Sequence, residues 1–484
     1  MNEKYDVVII GAGIGGLVCG CYLAKAGLKV MIVEQHDKPG GYCTSFQRKG
    51  YTFDAGGHYL GGIRNGMLGK VLTEIGVMDV MKFNQFNPVD TIIFPDSSVH
   101  IYADIEDTIM DMQKVFPKEK NNITNFFKFI LDKDFLSIYK KIKRLSFQLV
   151  LDEYFEDNRL KAKFEVLLGG LGLPSDKVSA VSATLLFRET VCDPGWYPKK
   201  GLQSFPDLLS DIIRSNGGKI IFGKKVAKIL CENNEAKGVV LNDGVKFLSN
   251  AVISNADAIQ TFTKLIDLES KEKQLGIDYI ISPSAFFVYL GLKDGVEKII
   301  KSPSNMLIFS DYDLKKYYCN FDHFAIDNEL IKYVVCIFSS LHSGDNKIKR
   351  AMELFTIVPF KSDDFWKRHR VSFMDGMLDF TIRNIAGLRD YIDIKFNATP
   401  STFHKYTLNS DGAAYGWAST PNLITKPIFM SRSSIRKLYL AGHWCNGGLC
   451  QGGVPQVAVM GRTTARSVIE DAGLKWQYKY NLLI

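Results

Sequence analysis

The stretch VVIIGAGIGGLVCGCYLAKAGLKVMIVEQ, residues 7–35, decides the fold. Residues 5–10 form a short unbroken apolar run, the pattern of a parallel strand covered on both faces. Gly11, Gly13 and Gly16 then follow with the spacing G-x-G-x-x-G, with Gly15 among them. Gly11 permits a tight turn, Gly13 lets the backbone approach a pyrophosphate, and Gly16 lets the next helix pack closely on the strand. That helix should end near Gly27, and the N–H groups at its start attract an anion. Residues 28–33 read as a second strand. Glu34 stands at its end, 23 residues after Gly11, where an acid accepts both ribose hydroxyls. The same carboxylate repels a 2′-phosphate, so the nucleotide is not NADP. Strand, helix, spacing and acid together specify a dinucleotide site and leave FAD and NAD both open.

At 484 residues the chain is too long for one hydrophobic core and should form two domains. Apolar residues at 46% and charged residues at 23% are ordinary for a globular protein. The 32 Phe and 21 Tyr are costly to expose, which suits a large apolar cavity, although for any individual ring a place in a Phe-rich core is the more common role. A net charge of +8 is mild for this length, and no dense Lys/Arg block, zinc finger or RNA-binding signature accompanies it. Nucleic acid is therefore excluded as a partner, and an anionic membrane surface is the better candidate. The nine cysteines lack the spacing of a disulfide framework or metal site, so no metal is expected. The polar start MNEKYD has no secretory signal character, and no uncharged apolar run approaches about 18 residues. A cytoplasmic location with peripheral membrane contact is expected.

The following stretch, EQHDKPGGYCTSFQRKGYTFDAGGHYLGG at 34–62, carries the next distinction. Gly40 and Gly41 follow the acid by six residues and bring a second close backbone approach beside the nucleotide. This pair, with the GYTFDAGG segment at 50–57, resembles the flavoproteins of the amine oxidase and carotenoid desaturase superfamily. Within it, the wording of 34–62 is most similar to the retinol saturases and carotenoid cis–trans isomerases. The resemblance implies FAD as the cofactor. Tyr42 stands where much of the superfamily has an Arg, which argues against an amine oxidase.

A flavin site of this kind needs a returning C-terminal segment, and IRKLYLAGHWCNGGLCQGGVPQVAVMGRTTARSVIED at 435–471 supplies one. Residues 438–441 read as a buried strand ending at Gly442. After a glycine-rich loop, Gly452, Gly453 and Val454 lead into Pro455, which suits the first turn of a helix running to about Asp471. The positive end of that helix would stabilise negative charge on a reduced flavin. Gly442 is followed by His443, where relatives have Asp, so either His443 takes over the bond to the ribityl chain as a donor or that contact is lost. The stretch at 195–230 resembles the family's segment leading to a strand whose Val226 meets the adenine. Residues 238–258 read as a hairpin around Asn242-Asp243-Gly244 and a strand back to the nucleotide domain.

The expected fold class is α/β: an FAD-binding, Rossmann-like domain of the glutathione-reductase type, interleaved with an α+β substrate-binding domain. Residues 1–105, 195–260 and 431–484 go to the former, and 106–194 and 261–430 to the latter. Just after the first unit there is no C-x-x-x-x-C pair, since Cys43 stands alone there, and there is no second dinucleotide fingerprint. A disulfide reductase is thereby excluded, and the electron donor or acceptor is a diffusible partner unless the reaction is redox-neutral. Residues 123–155 are helical in pattern, rich in Phe and Leu and studded with Lys, and read either as an amphipathic element on a membrane surface or, the more common case, as a helix packed on the core with a solvated charged face. The runs at 284–292 and 333–340 would wall a long pocket, and Tyr415 and Trp417 either stack near the ring or serve as ordinary loop-anchoring aromatics.

The resemblance implies an FAD-dependent oxidoreductase or isomerase acting on C=C bonds of a hydrophobic, carotenoid- or retinoid-like polyene, by desaturation, saturation or cis–trans isomerisation. Such chemistry needs no protein nucleophile: flavin exchanges a hydride while a residue handles a proton or steadies a carbocation. His58, Tyr59 and His443 are the candidate catalytic residues, His58 foremost. Cys445 and Cys450 have no low-pKa setting and read as inert. Two rival readings are an amine oxidase or protoporphyrinogen-oxidase-like flavoenzyme, and a non-catalytic prenyl-lipid escort of the same fold. Glu34, the Gly40-Gly41 pair and the C-terminal glycines speak against the escort.

Overall fold

The opening unit folds as its residues require. Lys4–Ile10 is a strand, Ile14–Lys25 a helix and Val30–Val33 a second strand, parallel to the first. Gly27 ends the helix with φ +83°, a conformation that favours glycine. In this computed structural model, residues 4–275, 279–302, 304–315, 331–338, 349–426, 429–445 and 453–480 are described.

The first sheet has seven strands. Its order is Val226–Glu232, Glu235–Leu241, Lys246–Ser254, Lys4–Ile10, Val30–Val33 and Lys219–Ile221, with Leu438–Leu440 also paired to Lys246–Ser254. The expected hairpin is present: Gly244 N–H donates to the Leu241 carbonyl at 3.0 Å. Lys246–Ser254 changes partner along its length. Its start pairs antiparallel with Glu235–Leu241, while Val252 to Ser254 pair parallel with Leu438 to Leu440.

Helices Ile14–Lys25, Ser204–Ser215 and Val454–Asp471 pack on this sheet. The first and last of these approach at glycines. A Cβ placed on Gly461 would stand 2.5 Å from the Gly15 carbonyl oxygen. The last helix is also tied to Met67–Ile75 by a buried Arg462–Glu74 ion pair at 2.7 Å, and Tyr22 donates to the same carboxylate.

The second sheet, also of seven strands, has the order Ile392–Ala398, Ser284–Leu292, Ala351–Val358, Tyr333–Ile337, Asn305–Phe309, Asp90–Phe94 and Ser97–Ile101. Ser284–Leu292 and Ala351–Val358 are buried along their whole length, because helices or loops cover both faces. This corrects one expected boundary. Residues 90–101, placed with the nucleotide segments, belong to the second sheet, since Asp90 to Ile93 pair in register with Asn305 to Ile308. Their alternation of buried and half-buried residues gives no hint of which sheet they join.

Of the two readings of 123–155, the structure shows the element packed on the core. It breaks into Lys120–Leu131, Phe135–Ile142 and Phe147–Tyr154, and its apolar face is buried. Phe126 alone packs against the rings of Phe127, Phe147, Phe155 and Phe164. Large apolar side chains left exposed there are Leu131, Leu136 and Leu149. Among the described residues, no helix is long and apolar enough to cross a membrane.

Alanine in a helix interior normally stabilises by about 1 kcal/mol relative to glycine. Gly461→Ala should reverse that sign and cost about 1–3 kcal/mol, because the added methyl meets backbone that cannot move aside. Thermal denaturation checks it: a rise in Tm would show that the two helices are not in contact there.

Candidate functional site

Two glycine pairs and two strand ends converge beneath the start of the first helix. Gly13 and Gly40 form a parallel bridge, and Gly40 N–H donates to the Ala12 carbonyl at 2.8 Å. A Cβ on Gly41 would lie 3.3 Å from Gly13 Cα. Glu34 is buried at the end of its strand. Its carboxylate accepts from Ala12 N–H at 2.6 Å and His36 N–H at 2.9 Å, which fixes it directly below the loop. The segment leading to Val226 runs alongside, with Lys224 N–H on the Glu34 carbonyl at 3.0 Å.

The C-terminal strand delivers Gly442 into the same cradle. A Cβ on Gly15 would meet Gly442 Cα at 2.6 Å and Asn255 Oδ1 at 2.7 Å. Asn255 is the member that sequence reasoning missed. It stands at the end of Lys246–Ser254, donates from Nδ2 to the Gly11 carbonyl at 3.4 Å, and faces Gly13, Gly16 and Gly442 as well. The only signal was its place one residue past a predicted strand. Gly453 starts the last helix with φ +75°, followed by Val454 and Pro455. Gly452 and Cys450 lie outside the described residues.

Two polar groups at this seam have no hydrogen-bond partner among the described residues. One is His443 Nε2. The other is the Gln456 amide, whose oxygen and nitrogen are both unmatched although the residue is only 4% exposed. Buried polar atoms are rarely left so, because each costs about 1–3 kcal/mol. A glycine-walled cradle with unmatched donors and acceptors at its mouth fits a dinucleotide whose polar ring edge and ribityl chain need partners. Gln456 was also missed, hidden within an otherwise apolar helix start. Burial lowers the His443 pKa to about 4, so its imidazole is neutral at neutral pH.

From His443 a run of ring contacts leads into the second domain. Tyr42 lies 6.1 Å from His443, then Phe403 at 5.8 Å, Phe287 at 5.6 Å and Phe355 at 5.3 Å. His58 stacks on Phe355 at 4.7 Å with 20° between planes. The turn carrying His58 is anchored by buried Asp54, which accepts from Ser45 Oγ and Tyr197 OH, each at 2.6 Å. Burial pushes the Asp54 carboxyl up to about 6. Phe355 also lines a small apolar recess of about 30 Å³, with Val166, Phe309, Leu314, Tyr333 and Ile357.

Three expectations change here. Tyr59 is withdrawn as a proton carrier: its hydroxyl is held between Asp90, at 2.9 Å, and the Thr190 carbonyl, and burial raises its pKa far above neutrality. Trp417 does not line the seam; it is fully buried, stacked on Phe429 at 4.7 Å and edge-on to Trp444. Tyr415 points the other way, donating to the Gly169 carbonyl at 2.8 Å beside the recess. Cys445 is buried with its thiol pushed up to about 12, an unreactive state.

The parallel sheet, glycine cradle and returning helix define a dinucleotide-binding flavoprotein. The family described as flavin containing amine oxidoreductase matches residues 14–328, and the chain belongs to it, with FAD as its cofactor. The 4,4'-diapophytoene desaturase (4,4'-diapolycopene-forming) of a Methylomonas species is 27% identical over 443 positions, 83% of each chain. Prolycopene isomerase 1, chloroplastic, of an Oncidium hybrid cultivar is 26% identical over 529 aligned positions, 98% of this chain and 85% of its own. Among solved structures, an oxidoreductase from Methanosarcina mazei superposes with a TM-score of 0.66 at 20% identity, over 96% of this chain and 100% of that one.

Gln456→Ala should weaken FAD retention roughly tenfold, an expected loss of one or two hydrogen bonds. The apo-protein should become no less stable, because an unmatched amide is removed. Flavin titration and apo-protein melting measure the two; equal FAD affinity would show that the amide does not reach the cofactor. His443 gives a pH signature. Its folded pKa of about 4 lies below the ordinary 6.5, so its contribution to apo-protein stability is full above pH 6.5 and is lost as pH falls through 4. His443→Gln should flatten the fall in Tm across that window; superimposable curves would contradict a dry imidazole.

Proposed function

We propose that the chain is an FAD-dependent oxidoreductase or isomerase acting on carbon–carbon double bonds of a hydrophobic polyene, carotenoid- or retinoid-like. The observation that carries this reading is the aromatic path from His443 through Phe355 to the recess. An extended apolar molecule lying along it would be wrapped by rings and by little else. The names of the desaturase and isomerase relatives support the same substrate class.

In this reading Gly11, Gly13, Gly15, Gly16, Gly40 and Gly41 give the pyrophosphate its backbone approach, and Glu34 holds the adenosine ribose. Val226 packs on the adenine. Gly442, His443, Gly453, Val454 and Gln456 serve the ring and its ribityl chain, with Asn255 holding the glycine loops together. When bound, FAD supplies hydride transfer to or from carbon. The protein's own work is to orient the polyene, exclude water and move a proton. His58 is the residue for that proton. It lies flat against Phe355, where a substrate double bond on the same surface comes within reach. A diffusible donor or acceptor exchanges electrons with the flavin, unless the reaction is a redox-neutral isomerisation.

Expression in cells that make polyenes should change the number or geometry of their double bonds, as read by chromatography and absorption of extracted lipids. His58→Gln should keep its FAD and lose roughly 100-fold in rate, the ordinary worth of a positioned proton carrier. An FAD-loaded protein that leaves the lipid profile unchanged would refute the substrate class. Full activity in His58→Gln would refute the role of that residue alone.

A further inference from the structure

Three groups crowd the imidazole of His443. The centre of the Tyr42 ring lies 6.1 Å from it and that of Trp444 5.8 Å, while a Cβ added to Gly416 would stand 2.8 Å from His443 Cδ2. The two departures from the superfamily wording, Tyr42 for Arg and His443 for Asp, thus meet at one place. A single amide ties the flanking rings together. Asn409 is only 4% exposed, and its Oδ1 accepts from Trp444 Nε1 at 2.8 Å. Its Nδ2 donates to Tyr42 OH at 3.2 Å and to the Ala413 carbonyl at 3.3 Å, and Tyr42 OH donates to that carbonyl at 2.8 Å. The amide can face only this way, because an indole N–H donates and never accepts. The turn carrying Asn409 is pinned in its own right. Its carbonyl accepts from His404 Nδ1 at 2.7 Å, and Ser410 N–H donates to Asp257 Oδ2 at 2.6 Å. Both polar atoms of the Asn409 side chain and the Tyr42 hydroxyl are therefore matched, whereas His443 Nε2 has no partner among the described residues. A satisfied network built around one buried, unmatched atom is an arrangement that a ligand completes.

We propose that Asn409 is a positioning residue: by tying Tyr42 to Trp444 it holds the His443 ring between them and keeps Nε2 placed to bond FAD. This rests on the assignment of His443 to the cofactor made above, and adds the residue that fixes its ring. Hydrogen bonds weaken steeply as their angle departs from linearity, so an imidazole free to turn would bond poorly. A ring already held before FAD arrives spares binding the cost of ordering it.

The test is a double-mutant cycle on FAD release from the loaded protein, followed by the rise of free-flavin fluorescence after dilution. His443→Ala alone should speed release roughly tenfold. Asn409→Leu, close to Asn in shape, should speed it about fivefold in the unmodified background. Where His443 is already Ala, the same change should have less than about a twofold effect, because it acts through that ring. Tyr42→Phe removes one hydroxyl and keeps the ring. It should show the same dependence on His443 with an effect of about two- to threefold, and it carries the test should the Asn409 variant not fold. In loaded protein with isotope-labelled histidine, the ring nitrogens of His443 should give one narrow set of NMR signals, which Asn409→Leu broadens or splits. Equal acceleration in both His443 backgrounds would overturn the proposal, since a merely structural role acts without regard to that ring. Unchanged release, or His443 signals that do not respond, would overturn it too. If His443→Ala itself released FAD at the unmodified rate, the assignment of His443 to the cofactor would fall, and the role of Asn409 with it.

Discussion

The structure depends on the contact of bare backbone where Gly15, Gly442 and Gly461 meet. A side chain on Gly15 or Gly461 would intrude on backbone within 2.6 Å, and one on Gly442 would meet Asn255 Oδ1 at 2.4 Å, so the first helix, the last helix and the C-terminal strand close to a distance that only glycine permits. Everything chemical follows from that closure. It brings Gly442 and His443 to the mouth of the N-terminal cradle and aims the last helix across it. Asn255 fills the remaining space and joins the glycine loops from the side.

The second constraint is electrostatic. Carboxyl groups at the joints between the domains are buried and given donors rather than left to water. Asp54 holds the strand before His58, Asp90 accepts from Tyr59 and Asn305, and Glu189 accepts from the N–H groups of Met67 and Leu68 at a helix start. Each is pushed upward by burial, to about 6, 6 and 7 respectively. These acids fix the turn at 56–66 on both sides. That turn carries the histidine which faces the aromatic wall, so polar joints of this kind position an apolar surface.

Much of this was legible in the residues. Backbone-limited features read cleanly: the glycines at 11, 13 and 16, Glu34, the turn at 242–244 and the helix ending at Asp471 all act through local geometry. Features decided by distant partners did not. Residues 90–101 carry a strand pattern that suits either sheet, and only pairing with 305–308 decides between them. The helices of 120–154 have an apolar face that a membrane and a protein core would satisfy equally; the Phe cluster from 164 and 187 claims it. Asn255 and Gln456 were invisible because a single amide has no periodicity. Tyr59 was misjudged because its partner lies in another strand.

The strand Lys246–Ser254 gives the assembly a temporal order. One end pairs with the hairpin partner made just before it, and the other with Lys4–Ile10 and, much later in the chain, with Leu438–Leu440. Closure between residues so far apart in sequence carries a large loop entropy and comes late in folding. One side of the helix Ile14–Lys25 is covered by Val454–Asp471, so a chain lacking that C-terminal segment leaves an apolar helix face exposed.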